Sequence, residues 1–142
     1  MTESPRRKAR EIVLQALYAS ECLKDSPEES LKKILENIKL TENNLLFVRK
    51  LFRAVLQKTL FADEKISALA ENWEISRIAT IDLVILRMGI IELVEFPDVP
   101  IKVVLNESIE LAKKYSTEES SKFVNGLLDT FIKKELRSTG EV

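Results

Sequence analysis

The stretch from Ile78 to Val94 is apolar on nearly every side, broken only by Thr80, Asp82, Arg87, Gly89 and Glu92. A surface helix carries one apolar stripe; a helix with no polar face has to be packed on several sides at once. The rest of the chain must therefore wrap this segment. Its end is set by Phe96-Pro97-Asp98-Val99-Pro100, since neither proline continues a helix.

The wrapping elements read as helices. Only three Gly and four Pro occur in 142 residues, too few for a turn-rich β-sandwich. Ser4-Pro5 starts a first helix with Pro at its first position, where the missing N–H costs nothing, and Ile12, Val13, Ala16, Leu17, Ser20 and Leu23 trace its stripe. Ser26-Pro27-Glu28-Glu29 is a capping box, followed by Leu31, Ile34, Leu35 and Ile38. Thr41 caps a third helix through Leu45, Val48, Leu51, Phe52, Val55 and Leu56; a shorter fourth spans roughly Asp63 to Asn72.

Ile101 to Leu105 has the look of a strand, but Ile101, Val104, Leu105, Ser108, Ile109 and Ala112 keep helical spacing. Ser116-Thr117-Glu118-Glu119 is a second capping box, opening a helix with Phe123, Val124, Leu127, Leu128 and Phe131 inside. The stripe passes unbroken through Asn125-Gly126, so Gly126 is a helical glycine, which predicts a close contact there. Residues after Leu136 read as a frayed tail. The expectation is all-α: a helical bundle of about seven helices in one domain over residues 1–142, with short antiparallel connections.

Several chemistries are excluded by residue type. There is no His, and Cys22 is the only thiol, so no ordinary zinc or nucleophile–base site can be assembled and no cofactor or metal is expected. A single cysteine also makes a reducing cytoplasm the default compartment. No signal-peptide pattern and no membrane-spanning run is present. Glu92 with Glu95, and Glu107 with Glu110, are spaced three apart, as on a solvated helix face. An enzyme is not expected. Within the apolar segment, Arg87 and Glu92 are expected to pair inside the chain, while Asp82 is open to a protein partner.

Charge is distributed unevenly. Arg6, Arg7, Lys8 and Arg10 put four cations into five residues; the net charge of −1 leaves −5 for the remainder. Cations in a first helical turn oppose the helix macrodipole, at a few tenths of a kcal/mol each, so they do the helix no good. They do suit an anion, because free N–H groups and guanidinium groups then face one phosphate. The plain alternative is a solvated basic tip with an Arg7–Glu11 pair. A second region adds Lys113, Lys114 and Tyr115, then Lys122 and Phe123: cations beside aromatics, the combination that holds single-stranded RNA. Tyr115, at a helix end, is the better stacking candidate; Phe123 also belongs to a core stripe.

Three stretches resemble the NusB family: Arg6 to Tyr18 (RRKAREIVLQALY), Ile85 to Val94 (ILRMGIIELV) and Val99 to Asp129 (VPIKVVLNESIELAKKYSTEESSKFVNGLLD). The last is the most specific. This resemblance implies two packed helical subdomains and no catalytic activity. It implies binding of the boxA element of ribosomal RNA leader transcripts together with NusE, a ribosomal small-subunit protein, within an RNA polymerase antitermination complex. Carried over by position, it assigns Arg6, Arg7, Lys8, Arg10, Tyr115, Glu119, Lys122, Phe123 and Asn125 to RNA, and Tyr18 and Asp82 to NusE. Two positions depart from the family pattern: Ser116 stands where Gly is frequent, and Asp82 where Glu is familiar. The competing readings are a protein-binding helical module or homodimer, an accessory domain of an RNA-modifying enzyme, and a helix-turn-helix DNA binder. The last is disfavoured because the cations lie in a first turn and not along a recognition helix.

Overall fold

In the computed structural model, residues 5–70 and 74–136 are described, and these contain seven α-helices and no strand. They are α1 (Pro5–Leu23), α2 (Pro27–Leu35), α3 (Glu42–Gln57), α4 (Thr59–Leu69), α5 (Thr80–Glu95), α6 (Ile101–Tyr115) and α7 (Glu118–Phe131). A 3₁₀ turn at Ile75–Arg77 precedes α5, and a π turn at Ile132–Leu136 follows α7. Ser4, Asn72 and the tail beyond Leu136 lie outside the described residues.

The apolar segment is the hub. Leu83 to Leu86, Met88 to Ile91 and Leu93 are all buried, and α5 touches α1, α3, α4, α6 and α7. Two helical groups meet on it. In one, α1 packs against α2 and α3; in the other, α6 and α7 pack on each other and on α5, with α4 against α5 and α7. Both the all-α expectation and the two packed groups hold.

Local chemistry sets most boundaries. Ser26 Oγ accepts from the Glu29 N–H at 3.1 Å, and Thr41 Oγ1 from the Asn44 N–H at 3.2 Å, so two predicted caps form as read. The third is displaced by one residue: Thr117, not Ser116, caps α7, accepting from the Ser120 N–H at 2.9 Å. The fourth helix begins at Thr59 and not near Asp63. Lys58 alone separates it from α3, so no turn residue announces the break. In α1 the buried set is wider than one stripe, taking in Ala9 and Leu14, whereas Leu23 is exposed.

The glycine expectation is corrected. A methyl group at Gly126 would meet nothing within 4 Å. The tight approach is at Gly89, where an added Cβ would lie 3.0 Å from both Leu128 Cδ1 and Ser108 Oγ. The missing side chain at Gly89 thus makes room for Ser108 of α6 and Leu128 of α7.

Candidate nucleic-acid interface

The cations at the start of α1 do not form a uniform cluster; each is held differently. Arg10 is buried, and its guanidinium donates through Nε and Nη2 to both carboxylate oxygens of Glu92. Arg10 is therefore a structural residue, turned inward, which corrects its assignment to the phosphate-facing set. Burying it is tolerable only because a second charge with matching geometry meets it. The expected pairing of Glu92 inside the chain is observed; its reading as part of a solvated face is not.

Arg7 stays at the surface but faces Glu107 of α6, donating from Nε at 3.1 Å and from Nη2 at 2.7 Å. Glu107 also lies 3.8 Å from Arg10 Nη1, so it too leaves the solvated face, while Glu110 remains exposed. The predicted Arg7–Glu11 pair gives way to Arg7–Glu107, and Lys8 approaches Glu11 at 4.0 Å. Arg6 donates to Asn44 Oδ1 at 2.8 Å, with its guanidinium 4.2 Å from the Phe47 ring centre. Burial, then the charge of Arg10, holds the Arg6 pKa below its usual value.

Tyr115 joins this group from α6. Its hydroxyl donates to Glu11 Oε1 at 3.0 Å and accepts from Gln15 Nε2 at 3.0 Å. Lys114 Nζ reaches the other Glu11 oxygen at 2.8 Å. Partial burial pushes the Tyr115 phenol pKa up from its usual value of 10.0, and the Gln15 hydrogen bond opposes the shift. Glu11, itself 1% exposed, is thus the buried anion that draws the end of α6 onto the start of α1. Arg7, Lys8 and Tyr115 are brought together on the α6 side of α1, while Arg6 turns toward α3.

The remaining assigned residues sit elsewhere. Glu119, Lys122 and Phe123 line a cleft of about 570 Å³ together with Asp82, Arg77 and Ile78. Asp82, in the first turn of α5, accepts from Ser120 Oγ at 2.7 Å through Oδ2, while its buried Oδ1 has no partner. Phe123 is half-buried and packs on the core as well as lining the cleft. Asn125 is exposed on α7. Tyr18 is 39% exposed on α1, with Cys22 as the first cause raising its phenol pKa. Arg87 pairs inside the chain as expected, donating to both oxygens of Asp63 and to Glu21. Sequence reasoning offered Glu11 to Arg7 and expected Glu92 to pair inside the chain, but it missed Glu107 as the partner of Arg7, Arg10 as that of Glu92 and Lys114 as one of Glu11, since these pairs lie far apart in the chain.

A model of the NusB family matches residues 7–133. The chain belongs to the NusB family. The transcription antitermination protein NusB of Dehalococcoides mccartyi is 40% identical over 141 residues, covering 99% of this chain and 97% of that relative. The chain is similar in structure to T. maritima NusB, with a TM-score of 0.87 at 32% identity over 99% of this chain and 100% of that one. It also matches a chain from a crystal structure of the antitermination factors NusB and NusE with double-stranded RNA, with a TM-score of 0.82 at 27% identity over 93% of this chain and 98% of that one.

The two departures from the NusB pattern are accommodated. Ser116 has φ −129°, outside the left-handed region that would demand Gly, and its hydroxyl donates to Ser120 Oγ at 2.9 Å. Asp82, shorter than Glu, is reached by the same Ser120 hydroxyl. Among the described residues no helix is long and apolar enough to cross a membrane, and no cluster of metal-ligating side chains occurs.

Proposed function

We propose that this protein is a transcription antitermination factor that binds boxA RNA of ribosomal RNA leader transcripts together with NusE, helping RNA polymerase pass terminators. The observation that carries this reading is the likeness, over 93% of the chain, to a protein captured with both NusE and RNA. The surface cations at the start of α1 fit the RNA role. Arg7 and Lys8 lie near Tyr115, gathered by Glu107 and Glu11, and Arg6 stands on the α3 side of the same helix start. Such a role needs no catalytic step, and the cytoplasm is where nascent transcripts are met.

Tyr18 and Asp82 are proposed as NusE contacts. Asp82 lines the cleft beside Arg77 and Phe123, and its Oδ1 has no donor within the chain, so a partner donor that reached it would relieve a costly unpaired acceptor. The RNA in the solved complex is double-stranded, whereas the present reading is of a single strand, so both forms belong in the test. Labelled boxA RNA is titrated with the protein alone and with NusE, against a scrambled strand, duplex RNA and duplex DNA. Tighter binding of the boxA strand when NusE is present is expected. Equal binding of all four nucleic acids, unaffected by NusE, would overturn the reading.

A further inference from the structure

A second cleft, also of about 570 Å³, runs between α3 and the connection from α5 to α6, and Arg6 closes one of its ends. Its α3 wall carries Leu46, Lys50 and Arg53, which share a helix face at spacings of four and three. Phe96 and Asp98 stand on the opposite wall.

The charges here differ from those nearby. Arg7, Lys8, Arg10 and Lys114 all have carboxylate partners. Among the described residues, no carboxylate comes within ion-pair distance of Arg6, Lys50 or Arg53. On the far wall Glu95 is taken up by Lys58 at 2.7 Å, leaving Asp98 as the one carboxylate lining the cleft without an ion pair. Three cations thus face one anion, and Leu46 and Phe96 add apolar surface to the two walls. Neutralised cations cannot add affinity for a phosphate without first giving up their partners, whereas these three can.

We propose that this cleft is a second segment of the RNA-binding surface, with Lys50 and Arg53 holding backbone phosphates of a strand that continues from Arg6 along α3. This rests on the RNA-binding reading above. The cleft shares Arg6 with the start of α1, so a strand gripped there enters it without a break. The apolar surface that Leu46 and Phe96 lend its walls gives an unstacked base somewhere to lie, which favours single-stranded over duplex RNA.

The test uses the full chain and two labelled single strands, of about 6 and about 14 nucleotides, so that only the longer can span both segments. Wild type should bind the longer strand with a steeper salt dependence. Lys50→Ala with Arg53→Ala should bind the short strand as wild type does, and lose roughly tenfold for the long one, with a salt slope shallower by about 1.4, or ~0.7 per phosphate. Exchanging the cations, Lys50→Arg with Arg53→Lys, should leave both affinities unchanged. A double-alanine variant that keeps the long-strand affinity and slope overturns the proposal, as does one that loses NusE binding instead. If wild type binds neither strand, the underlying RNA reading fails, and this one with it.

Discussion

Arg10 on α1 and Glu92 on α5, separated by 82 residues of sequence, meet through two parallel hydrogen bonds in the protein interior. The pair sits where the two helical groups join, with the Arg10 guanidinium also 5.2 Å from the Phe47 ring centre of α3. It explains why one member of a basic N-terminal run is not a surface cation at all.

Removing one partner should be far worse than removing both. Arg10→Ala leaves Glu92 buried and uncompensated, at an expected cost of about 3–5 kcal/mol in urea unfolding, whereas Arg10→Met with Glu92→Leu should come within about 1 kcal/mol of wild type or exceed it. A single variant as stable as the double one would show that the pair is not buried in solution.

Arg7 is the cation whose partner competes with RNA. Glu107→Gln removes the charge that holds it, and should tighten RNA binding by roughly threefold to tenfold at low salt. Arg7→Ala should weaken binding and make the salt slope shallower by about 0.7. Anisotropy titrations at several salt concentrations read both effects. Weaker binding in Glu107→Gln would mean that the carboxylate orients Arg7 and does not compete for it.

For Asp82 the expected loss is in partner affinity alone. Asp82→Ala should weaken NusE binding by about tenfold or more, as for a charged group desolvated at an interface. The melting temperature should fall by only a few degrees, reflecting the lost carboxylate at the start of α5. Calorimetric titration with NusE checks the first and thermal unfolding the second. Unchanged affinity would exclude Asp82 from the contact.

The two helical glycines should respond in opposite directions. Gly126→Ala meets open space and gains helix propensity, so it should add about 0.5–1 kcal/mol. Gly89→Ala drives a methyl group against Leu128 and Ser108, which are themselves buried, and should cost about 1–3 kcal/mol. Denaturant midpoints for the pair decide the matter; a stabilised Gly89→Ala would mean that α6 and α7 yield easily.

Helix identity was largely legible because apolar spacing reports which face is buried, as in α6 and α7, and because an apolar run with no polar face, as in α5, has to lie at the centre. Boundaries were legible where a hydroxyl caps the helix, as at Ser26 and Thr41. They were not where the N-cap has no side-chain bond, as at Lys58 and Ala79. At the candidate interface, residue types were readable but their states were not. Whether an arginine faces solvent or a buried glutamate depends on partners such as Glu92 and Glu107, brought close only by folding. The same holds for the glycines: Gly89 is crowded by Leu128 and Ser108 of other helices and Gly126 faces open space, a difference that spacing along one helix does not carry.

The ion pairs on α1 also fix a length. Glu92 clasps it near its beginning and Arg87, 2.9 Å from Glu21, near its end, both from α5. Arg7 and Tyr18 lie eleven residues apart along this rod, a rise of roughly 16 Å. With Arg7 proposed for RNA and Tyr18 for NusE, a helix so braced would act as a ruler that sets two neighbouring guests side by side at constant spacing. Mutual help between them would then come from their touching each other, with no change of shape needed in their host.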